Sequence, residues 1–387
     1  MGKLLVIYSL LPGLAKLFGS PIFFALNLPI IFFLLLKKNL AFFKKKNLIA
    51  VFFVMVLVVG HFLFTFVSNT EFSISSFFSS LYIWIMPMIG VYLAEIYRKK
   101  DCYEAIVKVA LIHSCVGFLI YGFFPLPSFL EIYADKLLEG VAFFRMSSVA
   151  GSLIFSSIVS CGLNCHLLLM YHRSKAREVM LLDWAILVVL LLSVLLSLQR
   201  SAWLAILPGL MLFLFSNRRL SLIAFCLSFP IGFLVIDFVM SNEFYYSRLM
   251  SLFSSDYSAV DERFGIWIYG LNQFNENILG LGIGQSGQFA YKAGVSVEHY
   301  ITDGDYIKIM SEGGVVFLLF YVAIVFRLIY TYLCRLKNEP ISSSFSFFIV
   351  VGFLIQMIGS NISEYYFVNF LFWMSLGLFL NDRDTSL

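Results

Sequence analysis

Charge is what this chain has least of. Only 13% of its 387 residues are Asp, Glu, Lys or Arg, against 60% that are hydrophobic. With a mean hydropathy of +0.91, that balance excludes an ordinary soluble enzyme and points to an integral membrane protein. Cysteine is sparse where it would matter. Cys102, Cys115, Cys161, Cys165, Cys226 and Cys334 all lie outside the long polar stretch of residues 240–314, so no disulfide framework is expected there. No small-residue cleavage site follows Lys3 to suggest a removable leader. The net charge of +4 is spread between apolar runs and does not point to nucleic acid. No soluble domain is expected, because no polar segment exceeds the central one.

The apolar runs are broken by short charged loops. At about 20 residues per crossing, the chain reads as all-α and polytopic, with about 12 transmembrane helices. Residues 1–239 hold spans one to nine, 240–304 form one large loop, and 305–387 hold spans ten to twelve and a tail. The expected crossings are two within 4–36, then 47–67, 76–96, 103–124, 147–171, 180–198, 201–216, 220–239, 305–333, 341–359 and 365–380. The loop at 37–46 carries five Lys and marks the inside. On this topology about 16 Lys and Arg fall in inside loops and the tail, and about 6 outside.

Those outside exceptions are Lys136, Arg145, Arg200, Arg248, Arg263 and Lys292. Four are Arg, whose planar fork suits phosphate and carboxylate. Arg brought from several loops to one side would suit an anionic ligand such as a diphosphate. Arg200, in LLSLQRSAWLA, sits between two apolar runs with almost no loop. At mid-membrane an Arg costs about 2.5 to 3.5 kcal/mol, less near the interface. It is read as a phosphate anchor, with snorkelling to lipid phosphates as the plain alternative.

The stretch 240–314 concentrates the remaining charge, including Asp256, Asp261, Glu262, Glu298, His299, Asp303, Asp305, Lys308 and Glu312. Asp305, Lys308 and Glu312 share one helix face, where a charged stripe must meet protein or water. The plain alternative is a solvated loop with a local Lys308–Glu312 ion pair. His299, Asp303, Asp305 and Glu298 are candidate proton acceptors. The carboxylates match no metal-loop spacing, so no metal is expected. GLGIGQSG, residues 280–287, lets backbone amides turn toward an anion, or is simply a flexible turn. No strand–turn–helix unit surrounds it, which sets a nucleotide aside. His61, His113 and His166 lie within spans and are read as packing residues, and Cys161, Cys165 and His166 as close helix packing rather than a metal set.

Four patches carry a family resemblance: FRMSSVAGSLIFSS around Arg145, LLSLQRSAWLA around Arg200, ERFGIWIYGLNQFNENILGLGIG with Arg263, Trp267, Gly282 and Gly284, and HYITDGDYIKIMSEGGVVFLLFYV with Glu312 and Gly314. In this order around one large loop, over residues 140–335, they resemble the bacterial O-antigen polymerase and O-antigen ligase superfamily. The resemblance implies a GT-C-like glycosyltransferase of the bacterial inner membrane, with its site facing the periplasm. Its substrates would be undecaprenyl-diphosphate-linked oligosaccharides as donor and acceptor, with no cofactor or metal and with a possible chain-length regulator protein. Arg200 and Arg263 lead the catalytic candidates, with His299 or Asp305 taking the hydroxyl proton. Arg145, Arg248, Lys292, Lys308 and Glu312 would bind diphosphate or substrate. Trp267, Tyr291 and Tyr300 would stack on sugars or anchor at the interface. Ligase-like members carry a His-Asn pair just before the closing helix. Here Gly304 and Asp305 stand there, which favours polymerase over ligase. A lipid-linked oligosaccharide transporter also fits the span count, but the chain lacks an obvious internal repeat and its charges crowd to one face.

Overall fold

The computed structural model describes residues 2–18, 60, 61, 63, 67, 86, 87, 89–122, 135, 136, 144–176, 178–216, 233, 237, 240, 241, 257–287, 290, 304–337 and 340–381. The expected spans at 47–67 and 220–239, the second within 4–36, and much of 76–96 fall largely or wholly outside these residues.

Within them the chain is helical apart from one two-residue ladder. The helices are α1 (Gly2–Phe18), α2 (Lys99–Gly122), α3 (Ser152–Ala176), α4 (Leu181–Leu196), α5 (Arg200–Ser216), α6 (Tyr257–Glu276), α7 (Asp305–Leu336), α8 (Pro340–Gly359) and α9 (Tyr366–Leu380). Four segments are long and apolar enough to cross a membrane: Lys99–Gly122, Ser152–Ala176, Asp305–Leu336 and Ile341–Gly359. Leu181–Leu196, Arg200–Ser216 and Tyr366–Leu380 are shorter apolar helices. The protein is a multi-pass membrane protein. The expected spans from 103 onward that fall on described residues coincide with these helices to within a few residues. The segment before Arg145 is extended where it is described. There β1 (Asp135–Lys136) pairs antiparallel with β2 (Phe144–Arg145), Asp135 opposite Arg145.

The bundle is built around α3, which packs against α2, α4, α5 and α8. Small residues let these helices close up, because in lipid their association depends on tight packing and hydrogen bonds. Gly162 of α3 lies directly against Ala110 of α2, and a side chain there would collide with it. A Cβ on Gly352 of α8 would come within 3.2 Å of the Ala205 carbonyl of α5. Cys161 and Cys165 are buried and reduced in this packed helix, and His166 Nε2 lies 2.8 Å from the Asp183 carbonyl oxygen. At the far end of α3, Arg173 in the last turn pairs with the buried Asp183 of α4. A cation there also faces the negative end of the α3 dipole.

Candidate functional site

The site begins with a break in a helix. Gly314 takes φ 59° and ψ −154° inside α7, which no longer continues regularly there. The break redirects backbone groups. The Val315 amide donates to the Ile278 carbonyl at 2.9 Å, while the Ser311 and Glu312 carbonyls accept from the Leu281 and Gly282 amides at 2.8 and 2.9 Å. The glycine run thus docks on the mouth of α7 by main-chain bonds. Such irregular backbone is tolerated near a membrane only where protein or water satisfies it. A Cβ on Gly314 would strike the backbone at Ile278–Gly280, so the close approach requires glycine.

The docked run wraps an anion that belongs to the protein. Glu312 Oε1 accepts from the Gly284 amide at 3.2 Å and the Ser286 amide at 3.4 Å. Successive amides aimed at a carboxylate form an anion-binding concavity. The run is neither a free turn nor an open phosphate cradle in this arrangement.

Below it lies a buried ionic cluster. Asp305, Lys308, Glu312 and Glu364 are 0%, 2%, 2% and 4% exposed. Lys308 Nζ is 3.1 Å from Glu364 and 3.9 Å from Glu312. Asp305 accepts from the Ser363 amide at 2.7 Å and from the Ser363 hydroxyl. A charge at this depth must be paired, because desolvating it costs several kcal/mol. One cation here serves two carboxylates, while Asp305 is held by a hydroxyl and an amide instead. The cavity beside Lys308, Glu312, Ser363, Asn369 and Trp373 measures about 10 Å³, room for about one water and too small for a sugar. The expected stripe of Asp305, Lys308 and Glu312 therefore faces protein, and the local Lys308–Glu312 pair exists as the longer of two.

Other expected residues are placed around this cluster. Trp267, on α6, stands beside the start of α7: a Cβ on Gly304, which has φ +101°, would come 2.9 Å from its Nε1. The Ser311 hydroxyl donates to Gln273 Oε1 at 3.1 Å, tying α6 to the same mouth. Arg200 opens α5 after a tight turn in which Leu198 adopts φ 53°. A left-handed leucine is strained, and such strain clusters at functional sites. The Gln199 side-chain amide reaches the Ser360 hydroxyl at 3.3 Å. Three residues on, Ser363 holds Asp305, so the Arg200 turn and the mouth of α7 share one end of the bundle. Arg145 joins them through its neighbour, since the Met146 amide donates to the Leu196 carbonyl at 3.0 Å. Its segment is braced from α2, where His113 Nδ1 lies 2.7 Å from the Ser148 hydroxyl. Arg263 lies on α6. His299, Arg248, Lys292, Tyr291 and Tyr300 lie outside the described residues.

Sequence reasoning missed Glu364, Ser363, Gln199 and Ser360. The turn SNISEYY bridges the expected spans at 341–359 and 365–380. One signal was available: a carboxylate squeezed between apolar runs, like Arg200, needs a partner. Among the described residues no group of three His, Cys, Asp or Glu has the arrangement of a metal site.

Fold and site define a class, a multi-pass helical membrane protein with a buried ionic cluster under converging loops. Residues 185–322, from α4 into α7, match the family model described as O-antigen ligase, so the resemblance to the O-antigen polymerase and ligase superfamily holds over the stretch with Arg200, Trp267, the glycine run, Asp305, Lys308 and Glu312. No curated protein matches the chain.

Proposed function

We propose that the protein is an O-antigen polymerase, a glycosyltransferase of about twelve spans and GT-C-like architecture in the bacterial inner membrane. It joins oligosaccharide repeat units carried on undecaprenyl diphosphate at the periplasmic face. The observation that carries this reading is the convergence of the Arg145 and Arg200 segments with the mouth of α7; of these, the Arg200 segment and the mouth of α7 lie inside the stretch that matches the O-antigen ligase family.

The chemistry follows from the donor. An acceptor sugar hydroxyl attacks the donor's anomeric carbon, a new C–O bond forms, and the bond from that carbon to the diphosphate oxygen breaks. The lipid diphosphate departs with the electron pair, so no nucleotide is consumed. Charge grows on the diphosphate in the transition state, where preorganised guanidinium groups act most strongly. Arg200 and Arg263 take that role, supported by Arg145, Arg248 and Lys292. Asp305 is fully buried and held by Ser363, which favours His299 over Asp305 as the group that accepts the hydroxyl proton. Lys308 and Glu312, buried as a pair, act from beneath the substrate. Trp267 and Tyr300 stack on sugar rings. The reaction is metal-independent, and a chain-length regulator is a partner of the same cycle.

Ligase is the second reading, favoured by the name of the matched family. Deleting the gene in its host and running the surface polysaccharide on a gel separates the two. Lipid A core with a single repeat unit and no ladder means polymerase. Bare core with polymer accumulating on the lipid diphosphate means ligase. An unchanged ladder overturns both.

A further inference from the structure

Two carboxylates of the buried cluster hold different pieces of backbone, and the third holds the cluster's cation. Glu312 holds the glycine run through the Gly284 and Ser286 amides. Asp305 holds the turn at 360–364 through Ser363. Glu364, in that same turn, reaches back to Lys308 on α7. Lys308 in turn lies within 3.9 Å of Glu312. Gly287 closes the circuit from above: it has φ +83°, and a Cβ there would collide with the Glu364 carboxylate and come 2.7 Å from Lys308 Cε. Three segments distant in sequence are thus tied to one ammonium group.

Stability alone is a poor reason for this device. Apolar residues of similar volume often replace a buried ion pair at no cost, and ionisable groups within membrane helices are expensive. The segments it ties are those that carry or abut the candidate machinery. The glycine run continues from α6, which bears Arg263 and Trp267, and the 360–364 turn abuts the Arg200 turn through Ser360 and Gln199. All four side chains of the cluster are 0–4% exposed, which suits a role exerted through the backbone they hold.

We propose that Glu364 is a positioning residue for glycosyl transfer: acting through Lys308, it locks the 360–364 turn and Asp305 against the glycine run held by Glu312. The inference rests on the glycosyltransferase reading above. Glu364 sets the register between the α6 arm and the Arg200 turn, hence the distance between groups that must meet one diphosphate. A misplacement of about 1 Å at such a distance costs on the order of 100-fold in rate.

The test uses the full-length protein reconstituted in vesicles with an undecaprenyl-diphosphate-linked oligosaccharide. Turnover is normalised to folded protein, and amide hydrogen exchange is followed at residues 280–287. E364Q keeps the shape and removes the charge, E364D keeps the charge and withdraws it by one methylene, and K308M with E364Q removes both partners. E364Q is expected to speed exchange at Leu281, Gly282 and Gly284 and to lower kcat about 10- to 100-fold, with donor KM changed less than about threefold. E364D should fall between E364Q and the native protein. The double variant, which still leaves Glu312 without its cation, should recover only part of the folded yield that K308M alone loses, yet stay slow per folded molecule. Native turnover per folded molecule in E364Q or in the double variant would reduce the pair to a structural staple and overturn the inference. So would unchanged exchange at 280–287. If E364Q does not fold, E364D and the double variant decide by the same readouts. If the native protein transfers no sugar, the functional reading fails by itself, and the exchange data still decide whether Glu364 locks the glycine run.

Discussion

Two of the buried polar regions among the described residues are built differently. Along α3, α5 and α8 runs a neutral seam. The Ser157 hydroxyl donates to Gln356 Oε1 at 2.6 Å, Gln356 Nε2 donates to Ser160 at 3.0 Å, and Asn164 Nδ2 donates to the Ala205 carbonyl at 3.2 Å. At the mouth of α7 the groups are ionisable, and their partners include loop amides and a turn that arrives after α8. The seam links neighbouring helices by amides and hydroxyls, whose single bonds contribute about 0.6 kcal/mol on average in membranes. The mouth holds charges whose separation costs several times more. Helices can be held together by the first kind. The second kind makes the positions of loops depend on one another, which suits a site assembled from several loops.

The comparison breaks most visibly at Lys308. Lys308→Met leaves Glu312 and Glu364 buried without their cation, and a loss of about 3–5 kcal/mol is expected, read as a collapse in detergent-stable folded protein. Next come the guanidinium groups. Arg200→Ala and Arg263→Ala should each lower transfer by about 100- to 1000-fold at normal abundance, assayed as loss of long-chain polysaccharide. Intact chains in both variants would remove the diphosphate-anchor role. Gly314→Ala forces a Cβ against the Ile278–Gly280 backbone, and a cost of about 1–3 kcal/mol should appear as a lowered unfolding midpoint with faster exchange in the glycine run. In the seam, Gln356→Leu removes two such bonds, should cost only about 1 kcal/mol and should leave turnover per folded molecule native. A large drop in turnover there would erase the distinction between the two regions. The smallest effect expected is none: saturating EDTA should leave transfer unchanged, and complete loss would revive a carboxylate-held metal.

Much of the bundle was legible in the chain because membrane helices announce themselves locally. The spans expected at 103–124, 147–171, 305–333 and 341–359 correspond to α2, α3, α7 and α8. The stripe of Asp305, Lys308 and Glu312 was legible for the same reason, since helical period alone places them on one face. The glycine run was recognised as able to meet an anion, but the anion it meets, Glu312, could not be read from spacing. The extended pair at 135–136 and 144–145 was missed because two-residue ladders leave no periodic signal.

What the sequence determined by itself was the solvent and the inventory: a chain too apolar for water, with few charges and one long polar stretch at 240–314. What only the tertiary structure decided was which charges face one another. Glu364 lies 56 residues beyond Lys308 in the chain and 3.1 Å from it in space, and the Arg200 turn meets the 360–364 turn across 161 residues. Hydropathy and helical period act over a few turns of chain. The pairing of buried charges depends on which helices pack together and where Gly314 breaks one of them, and that is settled by the fold as a whole.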